Sequence, residues 1–155
     1  MFDMACRRRG AAIVLARSLA LSAAFSLGVP GAGLADIRIR SSPGGAVEAH
    51  LKYFNMIKNS GERVIIDGPC LSACTLVLST VPRNRICMTS RAVLGFHAPF
   101  IVDKNGRSYR DRRVTEAMAA TYPAQVRHWL KRKGGLTSRL KYLKGKELAA
   151  MYPRC

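Results

Sequence analysis

Acidic residues and long apolar stretches are scarce in this sequence. Nine Asp and Glu residues stand against 26 Lys and Arg residues in a chain of 155. The apolar stretch at residues 11–29 is interrupted by Arg17, and the part that remains is shorter than the ~20 residues that a membrane-spanning helix needs. The chain also has no internal repeat, which excludes a solenoid or a propeller.

A metal-binding pattern is missing as well. Cys70 and Cys74 form a Cys-x3-Cys pair, while His50, His97 and His128 are scattered along the chain. Structural zinc sites use other spacings. We therefore expect no metal and no cofactor, and we expect His50 and His128 to lie on the surface.

The first 35 residues have the layout of a secretory signal. Three arginines at 7–9 precede an apolar stretch rich in alanine and leucine, and Gly33 and Ala35 are small residues at a cleavage-like position. We expect a signal peptide at 1–35, one domain at 36–155, and a periplasmic or secreted protein. An uncleaved membrane anchor is the alternative.

The remaining cysteines indicate disulfide bonds. Four cysteines follow the predicted signal, namely Cys70, Cys74, Cys87 and Cys155. An even number in an exported protein is typical of two disulfides, and four cysteines allow three pairings. We favour Cys74 with Cys87, which would join a helix start to a neighbouring strand and leave Cys70 for Cys155.

The charge of the chain is strongly positive, with a formal value of +17. Removing residues 1–35 takes away four arginines and one aspartate, which leaves about +14. Thirteen of the remaining basic residues fall between Lys104 and Lys146. Such a field attracts polyanions, of which lipid head groups are the favoured class outside the cytoplasm. A merely solvated basic face is the other interpretation.

Apolar periodicity predicts the fold class. Strands are predicted at 36–40, 63–67, 85–88 and 92–97, and helices at 46–59 and 73–79. This alternation is typical of an α/β domain with a mostly parallel sheet built from βαβ units. After Pro99 the pattern predicts a polar turn at 103–106 and helices at 114–121, 123–133 and 146–151, hence a helical C-terminal part.

Three motifs carry chemistry. Ser72 lies on a predicted strand-to-helix turn, where a serine hydroxyl can be presented as a nucleophile. His97 ends a neighbouring apolar strand and could act as its general base. Upstream, Gly44 and Gly45 form a turn whose N–H groups could bind an oxyanion. Each has a structural alternative, because Ser72 could cap a helix, His97 could be a hydrogen-bonded core residue, and the glycines could form a simple turn.

These motifs, in this order over residues 37–99, resemble the Clp protease proteolytic subunit and the wider Clp/crotonase superfamily. More narrowly, the chain is similar to small exported Clp-like proteins of bacteria. The resemblance implies a Clp/crotonase-like fold in which Ser72 is the nucleophile and His97 the base. It also implies that the amides of Gly44 or Gly45 and of Ala73 form the oxyanion hole.

The sequence departs from that family at the third catalytic residue. The family has an aspartate in a stretch that resembles residues 139–143, where this chain has Leu140 and no acid. The candidate substitutes, none at the family's spacing, are Asp103, Asp111, Glu116 and Glu147. Without an orienting carboxylate, a Ser-His pair is a weaker catalyst.

The resemblance implies an exported serine hydrolase, and we favour an ATP-independent peptidase that acts on a peptide or protein. No ATPase partner is expected, because no docking surface for one is identified. An esterase would use the same groups, whereas the coenzyme A thioesters of the crotonase branch are cytoplasmic. The alternative function is a catalytically inactive Clp-like binding module of the cell envelope, attached to an anionic surface through the basic C-terminal half. The oligomeric state is left open.

Overall fold

The computed structural model describes residues 35–155, which form a mixed α/β domain. The predicted signal sequence lies outside the described residues, apart from Ala35. The strands are β1 Asp36–Ile39, β2 Arg63–Ile66, β3 Pro69–Leu71, β4 Ile86–Met88, β5 Val93–Phe96, β6 Ile101–Val102, β7 Ser108–Tyr109 and β8 Lys141–Lys144. The α-helices are α1 Val47–Ser60, α2 Val77–Thr80, α3 Arg112–Thr121, α4 Ala124–Arg132 and α5 Gly145–Ala149, and 3₁₀ turns lie at Ser72–Leu76 and Arg83–Arg85.

The strands form two three-stranded sheets and a hairpin. The first sheet is parallel throughout, in the order β1-β2-β4. In the second, β3 pairs in parallel with β5, and β8 pairs antiparallel with the other side of β5. Strands β6 and β7 form an antiparallel hairpin around the predicted polar turn. The α/β class and the predominance of parallel pairing are therefore confirmed.

The three helices expected after Pro99 are present as α3, α4 and α5, but a strand that the sequence analysis did not predict lies between α4 and α5. Residues 141–144 form strand β8, in which Leu143 is fully buried opposite Leu94 of β5. The alternation of exposed and buried side chains is short and lies next to lysines, so it gives a weak strand signal in the sequence. The strand is fixed by its pairing with β5, about fifty residues away in the chain.

Helix α1 follows the predicted spacing of apolar residues. Phe54 and Ile57 are buried, whereas Leu51 is more than one third exposed. Gly61 ends the helix with φ of 82°, a left-handed conformation that glycine adopts without steric cost. The helix packs on the segment that follows β3, and thereby supports it from one side.

The predicted disulfide pairing is wrong, although the presence of two disulfides is confirmed. Cys70 is bonded to Cys74, with Cα atoms 5.3 Å apart, and Cys87 is bonded to Cys155, with Cα atoms 5.0 Å apart. The 3₁₀ turn folds Cys74 back onto the end of β3. The C-terminal residues run beside β4, where Arg154 forms a bridge with Met88, and this brings Cys155 to Cys87.

A charged cluster occupies the carboxyl end of the first sheet. Asp67 follows β2 and is buried, and its carboxylate accepts hydrogen bonds from Thr89, Arg38 and Arg91. The Thr89 hydrogen bond and the two arginines lower the pKa of Asp67 to about 2, against the opposing effect of burial.

None of the helices within residues 35–155 has both the length and the apolar composition that a membrane-spanning helix needs.

Candidate active site

The second sheet brings the predicted serine and histidine together. Leu71 of β3 is in register with Gly95 of β5, and both strands run in the same direction. Ser72 and His97 therefore leave the sheet at the same edge, at the carboxyl ends of neighbouring strands. Polar groups at this edge of a parallel sheet commonly form ligand or catalytic sites. Gly95 permits the close approach, because a Cβ atom there would lie 2.5 Å from the Leu71 side chain.

The backbone at Ser72 is unusual. Its φ is 55°, and it is the only non-glycine residue within 35–155 that has a positive φ. Residues other than glycine rarely adopt this backbone conformation, which costs of order 1–2 kcal/mol. The strained turn places the hydroxyl at the start of the 3₁₀ segment Ser72–Leu76, between the two bonded cysteines. The hydroxyl does not cap a helix, contrary to the structural alternative.

Ser72 and His97 are directly hydrogen-bonded. Their Oγ and Nε2 atoms are 2.7 Å apart, and the other ring nitrogen, Nδ1, lies 2.7 Å from the carbonyl oxygen of Ala98. A carbonyl can only accept a hydrogen bond, so Nδ1 must carry a proton. In the neutral ring, Nε2 is then the acceptor and the Ser72 hydroxyl is the donor. This is the tautomer that a general base requires.

The carbonyl of Ala98 accepts the hydrogen bond that an aspartate accepts in a Ser-His-Asp triad. The Ala98 N–H is itself bonded to the carbonyl of Thr137 at 2.7 Å, which holds this segment in place. Each candidate acid is engaged elsewhere: Asp103 with Arg107, Asp111 with the N–H of Val114, Glu116 with Arg112, and Glu147 with Lys133. Leu140 lies near Gly95, beside the site, but offers no polar group.

The glycine turn lies against the serine. The bridge between Ser42 and Cys70 fixes the turn beside β3, through hydrogen bonds to Pro69 and Leu71. A Cβ atom on Gly44 would lie 2.5 Å from the Ser72 Cβ and 3.0 Å from the Ala73 nitrogen. Gly44 has φ of 90° and Gly45 has φ of 147°, so both positions favour glycine. Only glycine allows this approach.

A cavity of about 300 Å³ opens over these groups. Its polar side is formed by Gly45, Ser72, Ala73 and His97. Its other walls are mainly apolar and consist of Ala46, Val47, Pro99, Phe100, Val102, Met118 and Tyr122. Among residues 35–155, the backbone N–H groups of Gly45 and Ala73 make no hydrogen bond. Two free donors next to a hydroxyl and its base can stabilise negative charge on a bound oxygen.

Two residues behind the serine were not identified from the sequence. Thr75 Oγ1 donates to the carbonyl of Ser72 at 2.7 Å and lies 2.7 Å from the hydroxyl of Tyr122. Burial raises the pKa of Tyr122 to about 12, so the phenol stays neutral. Thr75 lies one 3₁₀ turn after Ser72, which is a usable sequence signal, whereas nothing in the sequence indicates Tyr122.

The other two histidines do not line this cavity. His128 is exposed, and His50 is partly exposed and bonded to the carbonyl of Ala46. Residues 35–155 hold no cluster of three or more side chains suited to a metal ion.

Neither the comparison with known protein families nor the comparison with curated proteins finds a match for this chain. The site must therefore be interpreted from its own geometry.

Proposed function

We propose that this chain is an exported, Clp-like serine hydrolase that acts on peptides or proteins without ATP. The observation that carries the proposal is the 2.7 Å hydrogen bond from Ser72 to a histidine held in the basic tautomer, at the wall of a cavity. The order of the glycine turn, the serine turn and the histidine strand supports a relationship to the Clp/crotonase superfamily.

The proposed reaction is acyl transfer through Ser72 and His97. Ser72 Oγ attacks the substrate carbonyl carbon while His97 Nε2 takes the hydroxyl proton. The N–H groups of Gly45 and Ala73 would bind the resulting oxyanion. His97 then gives its proton to the leaving group, and water repeats the sequence to release the acyl product. The Ala98 carbonyl keeps the ring oriented, but it carries no full charge to stabilise the imidazolium.

The lack of a full negative charge beside His97 determines the rate that we expect. An aspartate beside the histidine holds the tautomer and also stabilises the charge that develops during the reaction. The carbonyl of Ala98 supplies the first effect and only a dipole toward the second. We therefore expect slow hydrolysis. An ester substrate, which has a better leaving group than an amide, should react faster.

An exported location is consistent with the chemistry of the fold. Two disulfides join all four cysteines of the described domain, as is typical of proteins in oxidising compartments. A periplasmic or secreted hydrolase has no ATP available, which supports a peptidase that works without an unfolding ATPase. Coenzyme A thioesters are disfavoured for the same reason of location.

The first test is labelling of the purified, oxidised protein with a fluorophosphonate, which reacts with activated serines. We expect a covalent adduct on Ser72 in the wild type and none in Ser72→Ala. His97→Ala should reduce the labelling rate at least ~100-fold, because the general base is lost. Ser90→Ala is a matched control at another strand end. Absence of labelling in the folded wild type would refute the hydrolase proposal.

A second candidate function is binding to an anionic surface. Of the thirteen basic residues between Lys104 and Lys146, only Arg107, Arg112 and Lys133 form ion pairs within the described residues. Several of the others gather at the end of α4, where Lys141 donates to the carbonyl of Lys133. Binding to phosphatidylglycerol vesicles that weakens steeply with salt, with no labelling of Ser72, would favour this function.

A further inference from the structure

The peptide that joins Ser72 to Ala73 has a fixed orientation. Its carbonyl oxygen accepts a 2.7 Å hydrogen bond from Thr75 Oγ1, and Thr75 is completely buried. Its N–H is the Ala73 donor beside the cavity, which has no acceptor within residues 35–155. In a planar trans peptide the N–H and C=O bonds point in opposite directions. Anchoring the oxygen on the inner side therefore directs the N–H outward.

The anchor is extended by a second hydroxyl. Thr75 has a single hydroxyl proton, which it gives to the Ser72 carbonyl, so the Tyr122 hydroxyl must donate to Thr75 Oγ1 over their 2.7 Å separation. Tyr122 follows α3 and is held by an edge contact with Phe96 of β5. The chain of donors thus runs from the cavity wall through Thr75 to the serine peptide.

We propose that Thr75 and Tyr122 are positioning residues that hold the Ser72–Ala73 peptide with its N–H directed at the substrate oxygen. The proposal rests on the proposed hydrolase function, which gives that N–H its role. Turning this peptide over would place a carbonyl oxygen where the oxyanion forms. A reversed dipole at that point opposes the reaction instead of assisting it. Thr75 and Tyr122 are needed in this role because the backbone at Ser72 is strained and could otherwise relax to another conformation.

The chain offers close variants and a matched control. Thr75→Val removes the hydroxyl at nearly constant shape, Thr75→Ser keeps it, and Tyr122→Phe removes only the donor behind it. Ser79→Ala is the control. It removes a different hydrogen bond between two hydroxyls, that of Ser79 in α2 with Thr121 in α3 at 3.2 Å, which does not involve the serine peptide. Folding of each variant is verified by thermal unfolding before any kinetic comparison is made.

Two readouts are needed, one of which is independent of activity. The first is hydrolysis of a p-nitrophenyl ester together with the fluorophosphonate labelling rate. We expect Thr75→Val to lower kcat about 10- to 100-fold with little change in KM, since loss of one oxyanion donor costs ~10²–10³. Tyr122→Phe should have a smaller effect, while Thr75→Ser and Ser79→Ala should retain near wild-type kcat.

The second readout is the backbone amide signal of Ala73 in ¹⁵N–¹H NMR spectra. We expect Thr75→Val to shift or broaden this signal, and Thr75→Ser and Ser79→Ala to leave it close to wild type. An unchanged Ala73 signal in folded Thr75→Val would overturn the positioning proposal, as would an unchanged kcat. A wild type that neither labels nor hydrolyses the ester would refute the hydrolase function, and the NMR comparison would still decide the orientation of the peptide.

Discussion

The two three-stranded sheets each end in a polar cluster, and the two clusters differ in how their hydrogen bonds are satisfied. At the end of β2, Asp67 is buried and its carboxylate accepts hydrogen bonds from Thr89, Arg38 and Arg91. At the ends of β3 and β5, Ser72 is strained, and its hydroxyl bonds to a histidine at a cavity. The first cluster is saturated, whereas the second keeps free N–H groups.

This difference separates a structural cluster from a reactive one. The carboxylate of Asp67 is paired with two arginines within the domain, so this cluster stabilises the fold. The cavity at Ser72 is lined by no acidic side chain, and the N–H groups of Gly45 and Ala73 make no hydrogen bond within residues 35–155. These two N–H groups gain a hydrogen-bond partner when a substrate oxygen binds between them.

Removing the disulfides should show the largest difference between the two regions. The bond from Cys87 to Cys155 spans 68 residues, and that from Cys70 to Cys74 spans four. Loop-closure entropy predicts that Cys87→Ala/Cys155→Ala costs about 4 kcal/mol of unfolding free energy and Cys70→Ala/Cys74→Ala about 2 kcal/mol. Urea unfolding measures both values.

The two disulfides should affect the rate of Ser72 labelling in the opposite order, with the larger effect from loss of the Cys70–Cys74 bond. The short bridge encloses Ser72, so its loss releases the strained turn, while the long bridge lies on β4 of the other sheet. Folded Cys87→Ala/Cys155→Ala should label near the wild-type rate. If both double variants lost stability equally and labelled equally, the assignment of separate roles would be wrong.

A substitution at Gly44 should damage the reactive cluster alone. An alanine Cβ there would lie 2.5 Å from the Ser72 Cβ and 2.7 Å from the Leu71 carbonyl oxygen, so the serine turn must move. Displacement of a catalytic group by about 1 Å can cost ~100-fold in rate. We expect Gly44→Ala to slow Ser72 labelling by about that factor.

The control for this prediction is Gly106→Ala. Gly106 also has a positive φ, of 77°, but nothing lies within 4 Å of a Cβ atom placed there. It therefore reproduces the backbone strain without the collision and should leave labelling unchanged. Equal labelling rates in the two alanine variants would argue against contact between the glycine turn and the serine.

The sequence predicts the parts of this site that depend on local pattern. The strand before Ser72, the strand before His97 and the turn at Gly44 are each encoded by residues within a few positions. Parallel neighbours must then present Ser72 and His97 at one edge, as the register of β3 with β5 does. The pair could thus be expected without coordinates.

The remaining features depend on contacts that residue type does not encode. The orienting group for His97 is the main-chain oxygen of Ala98, and any residue at that position would supply it. The disulfide pairing depends on the return of the C-terminus beside β4, which is set by the bridge between Met88 and Arg154. Strand β8 is likewise set by distant pairing rather than by its own pattern.

The saturated cluster should respond to acid. Asp67 has a folded-state pKa of about 2, below its ordinary value of 3.8, so it favours the folded state at higher pH. That contribution is complete above about pH 4 and is lost as the pH falls to 2. Asp67→Asn should therefore be less stable at pH 7, with a shallower loss of stability between pH 4 and pH 2.

Unfolding free energies measured from pH 7 to pH 2 would test the role of Asp67. The labelling rate of Ser72 at pH 7 is the internal control and should be unchanged in Asp67→Asn, since the two clusters belong to different sheets. An identical pH profile in the variant and the wild type would show that the arginines stabilise the sheet without this carboxylate.

The smallest expected effect concerns the strain at Ser72 itself. Ser72→Ala and Ser72→Gly both remove the hydroxyl and its bond to His97, so neither should label. They differ in backbone preference, because φ of 55° is costly for alanine and permitted for glycine. Ser72→Gly should therefore be about 1 kcal/mol more stable than Ser72→Ala, by urea unfolding. If glycine were instead the less stable of the two, Ser72 would not be strained, and the reactive cluster would store no more energy than the saturated one.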